Sequence, residues 1–437
     1  MPLKHQYPRV LMVLLTKVKA DDPANLLIRT QFGNWPKERL AQIHSGETSG
    51  HGEFCGQYYR LQAGDRLFGR LFKRLRDPVF NATMAMARVS ASQAERGKGW
   101  VSRWAGVAAK RSGDLLIGSG LWEIAFRVRL SPDMVAFIRR FDPDIVYCSG
   151  YTLGFATLPL LINRRFGTPI CFQTLEDWPA YTYRNSPVGP LLRRQATRLI
   201  QRATLRLAFG EKMKSVYERR YGSAFRVTYH LDDSNRFLVA EPGGIGQAKR
   251  VVFTGNLVLQ RHESIEDLLR AVRLLQQEGL RIEIEVYCPG LPKELSDECR
   301  SAPEIKFLPI PSHEELPRVL QAADVLFLPE AFSVGATRLG LALSTKCHLF
   351  MMAGRAILVY GPDYAGTIEY AREQGWALVV QQRDVGILAN ALRRLLTDGK
   401  LRAEVIARAS DCFRRNHDLK SGRERFEQLV AASARRA

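Results

Sequence analysis

No two cysteines in this chain sit at the two-residue spacing of zinc ribbons and redox motifs. The seven cysteines are Cys55, Cys148, Cys171, Cys288, Cys299, Cys347 and Cys412, scattered and odd in number. That pattern argues against a disulfide framework and for a reduced compartment. His44, His51, Glu53 and Cys55 lie near one another in sequence, but their spacing fits no standard ligand set, so no metal is expected there. A window of eighteen apolar residues is also missing, so no membrane-spanning helix is expected. The first apolar run, Val10 to Leu15, is short and has no small-residue cleavage site after it, which predicts a first β-strand and not a signal peptide. Internal repeats and long low-complexity tracts are absent, which excludes repeat arrays. Acidic residues are scarce as well: 44 stand against 64 basic ones, for a net charge of +20. Such an excess implies an anionic partner, whether nucleic acid, an anionic membrane face or a phosphorylated substrate.

What is present is ordinary globular material. Hydrophobic residues make up 46% and charged residues 25% of 437 residues, enough for two or three domains. Short apolar runs without alternation predict parallel strands buried on both faces at Arg9–Leu15, Asp144–Cys148, Pro169–Thr174 and Leu205–Phe209. Amphipathic stretches between them, Gly154–Arg165 and Val188–Arg202, predict helices, and Asp22-Pro23 reads as a helix start. A second series begins near residue 250. Strands are expected at Arg250–Thr254, Arg281–Tyr287, Asp324–Leu328, Ile357–Tyr360 and Ala377–Val380, with helices at Ser264–Glu278 and Glu314–Ala322.

The division that follows is a first domain over 1–235, a Pro- and Gly-rich linker over 236–247 and a second domain over 248–437. Both are expected to be doubly wound α/β domains, facing each other across a cleft at the carboxyl ends of their strands. Residues 60–113 interrupt this rhythm as a basic helical insertion. From Arg66 to Arg111 there are eleven positive residues and two negative ones, a net of +9. Over 64–77, Leu67, Phe68, Leu71, Phe72 and Leu75 share one helical face ringed by Arg66, Arg70, Lys73, Arg74 and Arg76. Such a helix suits an anionic membrane surface, or packs on the core with its basic side in water. Nucleic acid fits less well, because no aromatics are interleaved for base stacking.

Three motifs carry chemistry. Gly255-Asn256 follows the first strand of the second domain, where glycine lets the backbone approach a ligand, and Arg261 on the loop behind it can reach an anion. Ser344-Thr345-Lys346 precedes a short helix that Gly354 ends. The expectation is that Ser or Thr caps this helix, leaving free N–H groups and the Lys346 charge for a phosphate. Glu176 and Asp177 follow a central strand of the first domain and could orient or deprotonate an acceptor hydroxyl, or merely cap the next turn. Asp142-Pro143-Asp144 precedes a strand, so it is read as a turn and not as a metal motif.

Taken together these residues resemble the GT-B glycosyltransferases, in particular the bacterial family-4-like enzymes of surface-polysaccharide synthesis. Phe253–Leu257 with Arg261 is similar to that family's first strand and diphosphate loop. Ala323–Pro329 is similar to its Ala-Asp-hydrophobic-Pro strand, and Ser344-Thr345-Lys346 with Ala353–Leu358 to its Thr-Lys segment. In the first domain Asn34–Ala41, Pro143–Tyr147, Asp177-Trp178-Pro179 and Met213–Tyr221 resemble family segments. Leu349 stands where the family pattern has a Glu for the nucleotide ribose, Asn256 where a basic residue is usual, and Arg338 eight residues beyond Glu330, where many relatives have a second Glu. The resemblance implies a retaining, metal-independent transfer of a sugar from a nucleotide-diphosphate donor to a glycan or lipid-linked acceptor, with no cofactor. It places donor binding at Gly255, Asn256, Arg261, Thr345 and Lys346, and acceptor chemistry at Asp177 or Glu176. The expected location is cytoplasmic, on the inner membrane face. A sugar-nucleotide epimerase of the same fold and a non-catalytic scaffold remain open alternatives at this point.

Overall fold

The structure, a computed structural model, describes residues 7–20, 25–46, 51–67, 120–125, 127–237 and 248–435. The Asp22-Pro23 helix start, most of the 60–113 insertion with its amphipathic 64–77 face, and nearly all of the 236–247 linker lie outside them. The chain forms two compact units, one of residues 1–228 with 423–437 and one of residues 229–422.

Unit 1 is built on a seven-stranded, wholly parallel sheet: β1 Val10–Val13, β2 Leu40–His44, β3 Gln57–Arg60, β4 Ile145–Cys148, β5 Ile170–Thr174, β6 Leu205–Phe209 and β7 Arg226–Thr228. The order across the sheet is β3-β2-β1-β4-β5-β6-β7. β1 and β4 are buried along their whole length, as their unbroken apolar sequences require, and β5 is too, its Gln173 accepting from Tyr147 and donating to Thr228. Unit 2 repeats the plan with six parallel strands: β8 Lys249–Thr254, β9 Ile282–Tyr287, β10 Ile305–Leu308, β11 Val325–Pro329, β12 Ala356–Tyr360 and β13 Leu378–Val380. Their order is β10-β9-β8-β11-β12-β13. In both sheets the winding direction reverses at the first strand, between β1 and β4 and between β8 and β11. That is where doubly wound sheets open a crevice beyond the strand carboxyl ends.

The packing draws the unit boundaries differently from the sequence division. Residues 229–235 belong with unit 2, and 423–437 belong with unit 1. The reason is apolar. Phe426 and Val430, on the last helix, Leu419–Ser433, lie in the same core cluster as Val10, Met12, Phe32 and Trp35. Phe426 meets Phe32 edge-on at 4.9 Å and Trp35 at 6.1 Å. Polar contacts fix the register: the Arg423 guanidinium donates to the Thr30 carbonyl at 2.7 Å and Asn34 donates to Glu427 at 3.0 Å.

All seven cysteines are buried and unpaired. Asp142 and Asp144 both bind Arg9, at 2.6 Å through its guanidinium and through its backbone amide, so the Asp-x-Asp pair is a structural turn ahead of β4. Among the described residues no helix is long and apolar enough to cross a membrane.

Phe426→Ala should destabilise unit 1 by about 3–5 kcal/mol, the usual cost of emptying a buried aromatic position. Urea denaturation followed by tryptophan fluorescence measures this, since Trp35 reports from the same cluster.

Candidate functional site

In unit 2 the residues singled out in sequence come together at the reversal point. β8 ends at Thr254, and Gly255 then takes φ of +132°, a conformation closed to other residues. Space demands glycine too, because a Cβ there would lie 2.1 Å from Lys346 Cε. The turn beyond holds two successive non-glycine residues in the left-handed region, Leu259 at φ 56° and Gln260 at φ 59°. Each costs roughly 1–2 kcal/mol, and strain of this kind collects at functional sites. It delivers Arg261 as the first residue of the helix Arg261–Gln277, not to a loop before it.

Arg261 Nη2 donates to Glu330 Oε2 at 2.9 Å, with 13% of the Arg261 side chain and 5% of the Glu330 side chain exposed. Glu330 is the first residue past β11, the neighbour of β8, which explains how it meets Arg261 from 69 residues away. Its second oxygen accepts from the Thr367 hydroxyl at 3.0 Å, and Thr367 Oγ1 accepts from the Ser344 amide at 2.9 Å. Lys346 sits beyond Ser344, with Nζ 5.5 Å from the centre of the Phe253 ring. Burial, and then the repulsion of Arg261, lower its pKa to about 8, with Glu330 partly offsetting both.

Two details correct the sequence reading of this segment. Lys346 itself occupies the N-cap position of the short helix Cys347–Met352, and no side chain caps that helix. Ser344 instead turns back to accept from the Lys346 amide at 3.4 Å. Thr345 and Asn256 are exposed, and Leu349 is half-buried. Gly354, at φ 65°, does end the segment as expected.

The unit 1 residues form a separate constellation at the ends of β4 and β5. After β4 the chain turns through Gly150 and Tyr151, both at positive φ, and a Cβ on Gly150 would meet the buried Trp178 ring at 2.5 Å. Asp177 is buried and takes the Arg220 guanidinium at 2.6 Å and the Tyr217 hydroxyl at 2.9 Å on one oxygen. It stands at the N-cap position of Trp178–Tyr181 without capping it. One carboxylate oxygen thus ties the end of β5 to two side chains of the helix Glu211–Tyr221, the geometry of an anchor between two segments. Glu176 is half-buried and hydrogen-bonds Tyr151, whose hydroxyl is pushed well up by burial and by that carboxylate.

The sequence reading passed over two carboxylates. Glu330 stands out in sequence only for its spacing to Arg338, yet it pairs with Arg261 and acts on the Lys346 charge. Glu123, 3% exposed, binds the Leu153 amide at the start of the helix Leu153–Phe166, and burial lifts its carboxyl to about 7. No motif surrounds it; only the fold brings it there. Among the described residues no group of three or more His, Cys, Asp or Glu side chains is placed to hold a metal.

Family models match both units in succession. Residues 65–230 match the glycosyl transferase 4-like domain, and residues 248–398 match glycosyl transferases group 1. Solved structures share the fold across nearly the whole chain. OtsA in its apo form aligns at 14% identity and a TM-score of 0.60, covering 97% of this chain and 99% of that one. Sucrose-phosphate synthase from Thermosynechococcus elongatus aligns at 13% and 0.59, covering 97% and 98%. Anabaena HepE, solved with UDP and glucose, aligns at 12% and 0.60, covering 98% and 100%. A search of curated protein sequences found no match. Two parallel α/β units, each matching its half of one enzyme class, make this chain a glycosyltransferase of the GT-B fold, with a 4-like first unit and a group 1 second unit.

Proposed function

We propose that the enzyme takes its sugar from a nucleotide-diphosphate donor bound at Gly255, Asn256, Arg261, Thr345 and Lys346, and passes it to a glycan or lipid-linked acceptor. The observation that carries this reading is Lys346 packed against a glycine that admits no side chain, with Arg261 near enough to act on the Lys346 charge. Two cations brought close enough to depress the lysine pKa repel each other, and an anion between them relieves that repulsion. A diphosphate supplies such an anion. As the sugar–phosphate bond breaks, negative charge grows on the leaving diphosphate, and preorganised cations stabilise that charge more than the ground state. The structural neighbour HepE, solved with UDP and with UDP-glucose, supports a nucleotide donor.

The reaction runs with retention and without a metal, as the family resemblance implies, and the two cations take the place a divalent ion would fill. Of the two carboxylates that follow β5, Glu176 is the one to orient or deprotonate the acceptor hydroxyl; Asp177 positions Arg220 and Tyr217. The buried free cysteines support a reducing, cytoplasmic setting, and the net of +9 between Arg66 and Arg111 supports work at an anionic membrane face, where a lipid-linked acceptor would be found.

Lys346→Met should lower turnover by about two to three orders of magnitude, the cost of losing one preorganised donor to a developing anion, as read by donor consumption in a steady-state assay. Gly255→Ala should abolish nucleotide binding, because its Cβ displaces Lys346.

The pH dependence has a definite sign. Lys346 is charged below about 8 and neutral above it, and a bound diphosphate favours the charged form. Affinity for the tightest-binding of UDP, GDP and ADP should therefore be flat near pH 7 and fall above 8, approaching about tenfold per pH unit. Binding near pH 8.5 should take up protons, which calorimetry in buffers of different ionisation enthalpy detects.

A further inference from the structure

Glu330 and Thr367 are buried, at 3% and 1% exposure, and bond to the two segments that carry the cations: Glu330 to Arg261 itself, and Thr367 to the amide of Ser344, two residues before Lys346. The bonds have a definite direction. The Ser344 amide donates to Thr367 Oγ1, and the single hydroxyl proton of Thr367 goes on to Glu330 Oε1. The other carboxylate oxygen takes Arg261. Three segments distant in the chain thus close on one carboxylate: the start of the Arg261–Gln277 helix, the loop over 344–346, and the helix Gly366–Gln374 that carries Thr367.

The backbone of Glu330 is fixed as well. Its amide donates to the Tyr360 carbonyl at 2.8 Å, its carbonyl accepts from Ser264 at 3.2 Å, and Gly361 makes room, since a Cβ there would lie 2.8 Å from Glu330 Cβ. A side chain locked this completely can set the positions of its partners, because a shift of Arg261 breaks its bond to a carboxylate that cannot follow, and a shift of Ser344 breaks its bond to the Thr367 hydroxyl which that carboxylate holds.

We propose that Glu330 and Thr367 form one positioning unit for the donor site, in which a single buried carboxylate orients Arg261 directly and Lys346 through the Thr367–Ser344 relay. The inference rests on the donor-site reading above and adds two residues to it. Neither is a catalytic residue: they act by fixing the cations that meet the diphosphate. The carboxylate has an electrostatic part too. The groups acting on the Lys346 ammonium are Arg261, Glu330 and Cys347, and of these only Arg261 and Glu330 carry full charges, of opposite sign. Loss of the Glu330 charge leaves the Arg261 repulsion unopposed, so Lys346 gives up its proton at a lower pH.

The test is calorimetric titration with the tightest-binding of UDP, GDP and ADP, from pH 6.5 to 9.5, on the full chain and three variants. Glu330→Gln should weaken binding roughly tenfold at pH 7 and move the alkaline midpoint of binding to lower pH. Thr367→Val should weaken binding severalfold, and Thr367→Ser, which keeps the hydroxyl, should restore it. A purely structural role for Glu330 would not move the midpoint. Glu330→Gln with wild-type affinity and an unmoved midpoint overturns the proposal, and so does a Thr367→Ser variant as weak as Thr367→Val. Should thermal melting show Glu330→Gln unfolded, the two Thr367 variants decide. A wild-type chain that binds none of the three nucleotides overturns the donor-site reading itself, an outcome distinct from failure of the relay.

Discussion

Parallel strands can be joined only by crossovers that carry the chain back to the edge where each strand began. Every carboxyl end in a parallel sheet is therefore a loop, and all of these loops lie along one edge. Both units obey this constraint, and the placement of the candidate site residues follows from it. Gly255 and Glu330 close adjacent strands, β8 and β11, although many residues separate them in the chain. Tyr151 and Glu176 stand likewise just beyond β4 and β5. In unit 2 the winding reverses between β8 and β11, so the loops of Gly255 and Glu330 flank the crevice where a ligand can reach the backbone.

Charge works on this frame at two scales. The chain as a whole carries +20, which calls for an anionic partner. At the end of β8 the opposite problem appears: two cations in a half-buried place need something to hold them together in the absence of ligand. Glu330 does this for Arg261 and lessens the cost for Lys346. One carboxylate against two cations leaves a net positive site, which attracts an anion without waiting for side chains to rearrange.

Sequence pattern shows the strands whose cores are wholly apolar, because nothing else explains an unbroken Val, Ile and Leu run. It hides β2, where Gln42 and His44 are fully buried: Gln42 bonds the Val18 amide and the Thr16 carbonyl, and His44 the Gly46 carbonyl. It hides the edge strands β3 and β10, whose outer faces are wet, and β7, which is three residues long. In the site, Gly255, Arg261 and Lys346 are legible as local motifs. The roles of Glu330, Thr367 and Glu123 are not, because each depends on which strands and helices become neighbours. Asp177 shows the reverse: its local context suggested a reactive carboxylate, and the Arg220 it meets 43 residues later makes it an anchor.

The seat of Phe426 and Val430 in the first unit's core has a consequence for biosynthesis. Domains usually fold in order as they leave the ribosome. Here the first sheet emerges with a gap beside Phe32 and Trp35 that only residues 423–435 can fill. All of unit 2 must be translated before that gap closes, so the nascent first unit presents an open apolar face throughout. The first half of the enzyme is thus among the last parts of the chain to be finished, and a fragment cut at residue 228 would lack a piece of its own interior.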